Sequence, residues 1–350
     1  MFSASLRAVL IALAATASAV SAAPGLSLKV TGPDTVEGVE SLKVIATLTN
    51  TGDETLRLVN DPRGVLDALP ANTFTITNND GASPSFIGVQ VKYSPTQAAT
   101  SADPSALTVI APGTSVSLTH DLSSAYNFTD TGYNTYTVEA SNLFHVVNVN
   151  NEISELRANA ESYVAKLTGG KLAVAAPGLT KRASFNGCSA EQQSALNTAA
   201  AGAQNYSRSA LAYLRSNSAS SARYTTWFGT YTDPHHSTVQ DHFGKISSND
   251  FASFSYDCTC TRENTYAYVY ADKFGTVYLC GAFWRAPPTG TDSKAGTLVH
   301  EASHFTTNGG TKDYAYGQSA AKSLAQSDTD KAVFNADSHE YFAENTPAQA

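Results

Sequence analysis

The chain changes character near residue 180, and this break constrains the fold more than any other feature. Before it, cysteine is absent and short β-rich runs alternate with turn residues; after it come all four cysteines and an Ala-rich stretch. At 350 residues the chain is long for one compact domain, so two domains meeting near the break are expected. The runs "LSLKVTG", "LKVIATLTN", "TFTITNNDG", "GVQVKYS", "LTVIAPG", "TSVSLTHDL" and "NTYTVEASNLF" have the length and spacing of strands in an antiparallel sandwich. No cluster of residues within them looks chemical. Residues 151–170, "NEISELRANAESYVAKLTGG", are expected to form a short polar helix. A Pro/Gly-containing linker, "APGLTKRASFNGC", follows. It carries one dibasic pair, Lys181-Arg182, of the kind that subtilisin-like convertases cut in secreted chains.

Beyond the linker, "AEQQSALNTAAAGAQNYSRSALAYLRSNSA" places Leu196, Leu211 and Leu214 on a helix. Tyr, Phe and Val dominate strand-like runs at 222–234 and 251–284, and helices are expected at 294–306, 318–326 and 336–344. The second half therefore reads as α+β with helices prevailing. At the N-terminus, Arg7, the apolar run Ala8 to Ala15 and the small residues Val20-Ser21-Ala22 make a secretory signal peptide. The expected division is 1–22 signal peptide, 23–182 β-sandwich-like domain with its linker, and 183–350 second domain. No later segment reaches the eighteen apolar residues of a membrane span. A net charge of −8 argues against nucleic acid or an anionic membrane as partner. Sequons at Asn127 and Asn205 permit glycosylation.

An even cysteine count in an oxidising compartment favours disulfides. Cys258 and Cys260 are two apart and point to opposite faces of an extended segment, so they are poor partners for each other. Two pairings remain, 188–258 with 260–280 or 188–260 with 258–280. The spacing is not that of a zinc ribbon or finger.

Chemistry enters at His300, Glu301 and His304, which form HExxH. With 8 histidines in the chain, chance would produce the pattern roughly 0.006 times. Thr297, Leu298, Val299, Ala302 and Phe305 make the surrounding segment apolar and helical. On a helix, positions i and i+4 share a face about 6 Å apart, so two imidazoles can occupy two corners of a zinc tetrahedron. Glu301 points aside from that face and can take a proton from water made acidic by the metal. A catalytic zinc wants a third protein ligand. Thr307 and Gly310 stand where HExxHxxGxxH would need Gly and His, which excludes that option. Glu340 or Glu344 from a later helix are candidates. Asp313 is the other: Gly309 and Gly310 permit a reversal that returns it to the metal, and Tyr316 could then donate to a developing oxyanion.

HExxH followed by Gly310-Thr311-Lys312-Asp313-Tyr314-Ala315-Tyr316-Gly317, a GTxDxxYG pattern, resembles the aspzincin (deuterolysin) family of secreted fungal metalloendopeptidases. The similarity spans residues 184 to 350 and is closest to the peptidyl-Lys branch, through "RYTTWFG", "DCTCT", "FGTVYLCGAFW" and "NADSHEYF". It implies a helix-rich, zincin-type catalytic domain behind a propeptide. It also implies one Zn²⁺ on His300, His304 and Asp313, Glu301 as general base and Tyr316 as oxyanion donor. The pairing it implies is Cys188–Cys258 with Cys260–Cys280.

Asp337 and Glu340 are i and i+3 on the last helix and share a face. Composition alone would make this a solvated acidic face. The resemblance implies the floor of an S1′ pocket that takes a lysine ammonium, with cleavage on its N-terminal side. Without a cysteine in the first domain, no thiolate can cap the zinc, so latency is expected from coverage of the cleft, with His120 and His145 as possible blocking ligands. The expected partners are lysine-containing proteins and peptides and the chain's own propeptide, on a monomer. Competing readings are a deuterolysin of broader specificity, a non-catalytic zinc-containing binding protein, and a cell-wall adhesion protein supported only by the β-rich half.

Overall fold

The computed structural model describes residues 25–174 and 185–349; the expected signal peptide and the pair Lys181-Arg182 lie outside them. The first unit is all-β and holds three four-stranded sheets. In strand order these are Asn159–Glu161, Leu26–Thr31, Lys43–Asn50 and Ser115–Asp121; Thr35–Glu37, Tyr163–Thr168, Thr135–Ala140 and Phe74–Asn78; and Ile153–Arg157, Leu143–Val147, Leu56–Val59 and Leu107–Ile110. Period-two burial builds them. In Lys43–Asn50, Val44, Ala46, Leu48 and Asn50 point inward while Lys43 and Ile45 face solvent. Val44, Leu48, Leu28, Leu58, Ile76 and Val138 meet in one core.

The expected helix at 151–170 does not form; three strands occupy the segment. Tyr163, Ala165 and Leu167 alternate inward on the last of these strands. Pairing with Thr135–Ala140 and Thr35–Glu37 overrides the helix preference of the intervening charged residues.

In the second unit, helix Ala190–Ser216 opens with a reciprocal cap: Gln192 N donates to Ser189 Oγ at 3.2 Å, and Ser189 N to Gln192 Oε1 at 2.9 Å. It buries Leu196, Leu211 and Leu214 and packs on helices Asp233–Ser248 and Lys294–His304. The strand-like reading of 222–234 was misplaced. Ala222–Phe228 is a helix because Tyr224, Trp227 and Phe228, spaced i, i+3, i+4, bury one helical face. Helix Asp233–Ser248, absent from the expected elements, starts at Thr232 with Pro234 in its first turn. Helices Gly317–Ser327 and Ala336–Glu344 lie where the sequence places them. Disulfides join Cys188 to Cys258 and Cys260 to Cys280.

The second unit's sheet runs Phe185–Asn186, Ser255–Asp257, Thr276–Leu279, Thr265–Tyr270. Its fifth strand, Val89–Tyr93, comes from the first unit and runs antiparallel to Thr265–Tyr270, with Lys92 opposite Ala267 and Val91 opposite Tyr268. All five of its residues are buried. Among the described residues no helix is long and apolar enough to cross a membrane.

Candidate active site

Helix Lys294–His304 begins at Ser293, whose hydroxyl accepts from Gly296 N at 2.9 Å, and every one of its eleven residues is buried. Polar groups on such a helix need partners. His300 and His304 lie one turn apart, edge to face, with ring centroids 4.8 Å from each other. After the helix the chain reverses through Gly310, at φ +57, and Thr311 N bonds back to Ser303 O at 3.2 Å. Asparagine 335 shapes the next turn: Asn335 Oδ1 accepts from Tyr314 N and Ala315 N, both at 3.0 Å.

The reversal brings Asp313 Oδ1 to 3.1 Å from His300 Nε2 and 3.3 Å from His304 Nε2. Among the described residues, none of these three buried atoms has a well-aligned hydrogen bond. Corners of a tetrahedron with bonds near 2.0 Å lie about 3.3 Å apart, so the three atoms are spaced for one small metal ion. Thr311 O accepts from His304 Nδ1 at 2.9 Å, and Asp337 Oδ1 lies 2.8 Å from His300 Nδ1. These contacts leave both Nε2 lone pairs free for a metal. The donor set fits zinc.

Around this cluster, both oxygens of Glu301 are buried with no well-aligned hydrogen bond among the described residues, and burial pushes its carboxyl up to about 8. Tyr316 Oη donates to the Val91 carbonyl at 2.5 Å, and Val91 N donates to Asp313 Oδ2 at 2.9 Å. Burial raises the Tyr316 phenol well above its ordinary pKa, and Asp313 adds to that, so it is a donor.

On the other side of His300 lie Asp337 and Glu340. They do not form an open acidic floor here: both are fully buried, and the Lys92 ammonium sits between them. Lys92 Nζ is 2.5 Å from Glu340 Oε2, 3.3 Å from Asp292 Oδ1 and 3.9 Å from Asp337 Oδ1. Burial alone would depress this ammonium, but Glu340, Asp337 and Asp292 hold it well above the ordinary lysine range.

The other candidate third ligands face elsewhere. Glu340 faces the Nδ1 edge of His300, at 3.3 Å, rather than Nε2. Glu344 accepts from Ser293 N at 2.9 Å and Ser293 Oγ at 2.7 Å, and so serves the start of the helix. Nor do His120 and His145 act as blocking ligands. His120 Nε2 contacts Val65 O at 3.2 Å inside the first unit, and neither histidine joins a cluster of metal-ligating groups among the described residues.

Residues 213–344 match the model of a family described as lysine-specific metallo-endopeptidase, the aspzincins. The chain is 60% identical over 345 residues to a peptidyl-Lys metalloendopeptidase of Grifola frondosa, covering 98% of this chain and 99% of that one. It is 51% identical over 352 residues to a protein of the same name from Armillaria mellea, at full coverage of both. A third, from Pleurotus ostreatus, is 58% identical over 168 residues, which are 48% of this chain and all of that protein. The chain belongs to the aspzincin family.

Membership makes it a zinc-dependent metalloendopeptidase. Several residues that were given no role from the sequence shape the aspzincin site here. Thr311 fixes His304, Asn335 fixes the Asp313 turn, and Asp292 binds both Lys92 and the Tyr341 hydroxyl, the latter at 2.7 Å. Behind the site, His242 Nδ1 and His339 Nε2 lie 3.0 Å apart, both rings buried. The first-unit residues at the site, Arg63 and Lys92, had no local signal at all.

Proposed function

We propose that this aspzincin is a secreted endopeptidase that hydrolyses peptide bonds on the N-terminal side of lysine and is made as a precursor. In this reading 1–22 is the signal peptide, 23–182 the propeptide, and Lys181-Arg182 the processing site. The Pleurotus ostreatus relative supports the boundary, since its whole length corresponds to 168 residues, as many as follow Arg182. His300, His304 and Asp313 would hold the zinc. When bound, zinc supplies Lewis acidity toward the substrate carbonyl and toward water. Glu301 is the base that accepts water's proton and passes it to the leaving amine. Tyr316 donates to the oxygen on which negative charge develops.

One observation carries the lysine assignment: the cation seated between Glu340, Asp337 and Asp292, one peptide away from the carbonyl held by Tyr316, is a lysine ammonium. A compact ammonium can take separate carboxylates on several sides, whereas a planar guanidinium prefers a two-pronged partner. Digestion of a denatured protein by the processed chain, with new N-termini mapped by mass spectrometry, tests this. Termini beginning with lysine, lost on chelation and restored by zinc, are expected. Chelator-sensitive cuts scattered over many residues would discard the pocket assignment and leave a broader deuterolysin.

A further inference from the structure

We infer that the first domain holds the protease latent with an internal substrate mimic: strand Val89–Tyr93 lies in the cleft as a peptide to be cut, with the Val91–Lys92 bond at the reacting position. The inference rests on the site roles proposed above and adds an occupant that no motif announces.

The strand's placement is that of an added substrate strand. Without it, Thr265–Tyr270 is an exposed sheet edge, and an extended peptide binds such an edge through its main chain while alternate side chains enter pockets. The main-chain contacts at the reacting position come in a matched set. Val91 O accepts from Tyr316, and Val91 N donates to Asp313 Oδ2. The Lys92 amide faces Glu301 without closing a well-aligned hydrogen bond. The carbonyl at the oxyanion donor and the amine at the base are therefore the two halves of one peptide bond.

Lys92 reads the pocket. It is 1% exposed, and lysines are almost never fully buried unless paired. Its three carboxylate partners, Glu340, Asp292 and Asp337, all belong to the second domain. The rings of Tyr266 and Tyr341 lie 5.0 and 5.5 Å from Nζ, within cation–π range. A lysine kept for the stability of its own domain would find partners there; among the described residues, every ion pair of this one crosses to the second domain.

Contacts on either side of the strand fasten it. Asp67 pairs with Arg262 at 2.6 Å, Asp103 Oδ2 accepts from Asn264 at 3.0 Å, and Gln97 bonds Tyr266. Arg63 donates to the Asp313 carbonyl and lies 3.9 Å over the Tyr316 ring, which closes the cleft further.

The test uses full-length precursors carrying Lys181→Ala and Arg182→Ala, with and without Lys92→Met, assayed on a short reporter peptide containing one lysine. Matching precursors with the native linker are processed by a dibasic-specific convertase and assayed in parallel. The uncut parent should be latent, uncut Lys92→Met at least about tenfold faster, and the two processed enzymes equal. An uncut Lys92→Met as slow as its parent, with a fully active processed form, would overturn the inference and leave the functional reading intact. Failure of both processed enzymes to cut at lysine would sink both. If Lys92→Met yields no active processed enzyme, Lys92→Gln takes its place with the same expected and overturning results.

Discussion

The two ring nitrogens of His300 face two clusters built from the same ingredients. At Nε2 stand His304 and Asp313, whose buried ligand atoms lack aligned partners among the described residues; Asp313 Oδ1 lies 3.1 Å from His300 Nε2 and 3.3 Å from His304 Nε2. At Nδ1 stand Asp337 and Glu340, 2.8 and 3.3 Å away, with an ammonium already between them. Either trio has ligand atoms close enough to hold a metal ion. What separates them is the partner each lacks: free lone pairs at tetrahedral spacing ask for a metal, whereas carboxylates spread around a slot lined by tyrosines suit a lysine.

Substitutions on the two sides should therefore fail differently. On the Nε2 side, Asp313→Ala should lose both zinc and activity. Glu301→Gln should keep zinc, measured by metal analysis of the processed enzyme, and lose about 10³-fold in kcat. Full zinc content and activity in Asp313→Ala would show that the third ligand is elsewhere. On the Nδ1 side, Glu340→Gln should keep zinc and lose about a hundredfold in kcat/KM on lysine peptides. Asp337→Asn should lose lysine preference and also weaken zinc binding by about tenfold or more, because Asp337 orients His300. Equal zinc affinity in the two variants would erase the distinction drawn between them.

A smaller effect concerns the histidine pair behind both clusters. Desolvation, which disfavours imidazolium, draws His242 down to about 4 and His339 to about 3. The unfolded chain takes up protons near the ordinary histidine value, so it binds more of them than the folded protein between about pH 6.5 and 3. Stability from this pair is complete above that window and is lost progressively as the pH drops through it. Denaturant unfolding at pH 7 and pH 4.5, compared with His242→Phe, checks it; the variant should lose less stability on acidification. Least affected should be Gly296→Ala. A Cβ there would lie 2.0 Å from Glu344 Oε1 and 3.0 Å from Glu340 Oε1. Helix propensity favours alanine by about 1 kcal/mol, but the displaced carboxylates should cost about 1–3 kcal/mol. A net fall in Tm is expected, and a rise would show that Glu344 moves freely.

Much of the site could be read before any fold was known. HExxH sets two imidazoles on one helical face by geometry alone, and Gly310 marks the turn that returns Asp313. The period-two runs announced an all-β first unit. Composition misled where it was read without spacing. Tyr224, Trp227 and Phe228 suggested a strand, yet their i, i+3, i+4 positions bury a helical face. Residues 163–167 looked helical by residue type while alternating at period two. Local pattern carries such information only when its period is counted.

By itself, then, the sequence displayed a change of character near residue 180, the HExxH motif and the restriction of cysteine pairing to two choices. These are properties of near neighbours along the chain, where helix and strand periodicity fix which side chains share a face. Only the tertiary structure decided that Cys188 pairs with Cys258, that Glu340 lies on the far side of His300 from Asp313, and that Lys92 reaches the carboxylates. Lys92 and Glu340 are 248 positions apart. Nothing local to a short run such as "GVQVKYS" distinguishes a strand that completes its own sheet from one that completes another domain's. The edge it joins and the charges it meets are made by residues far along the chain.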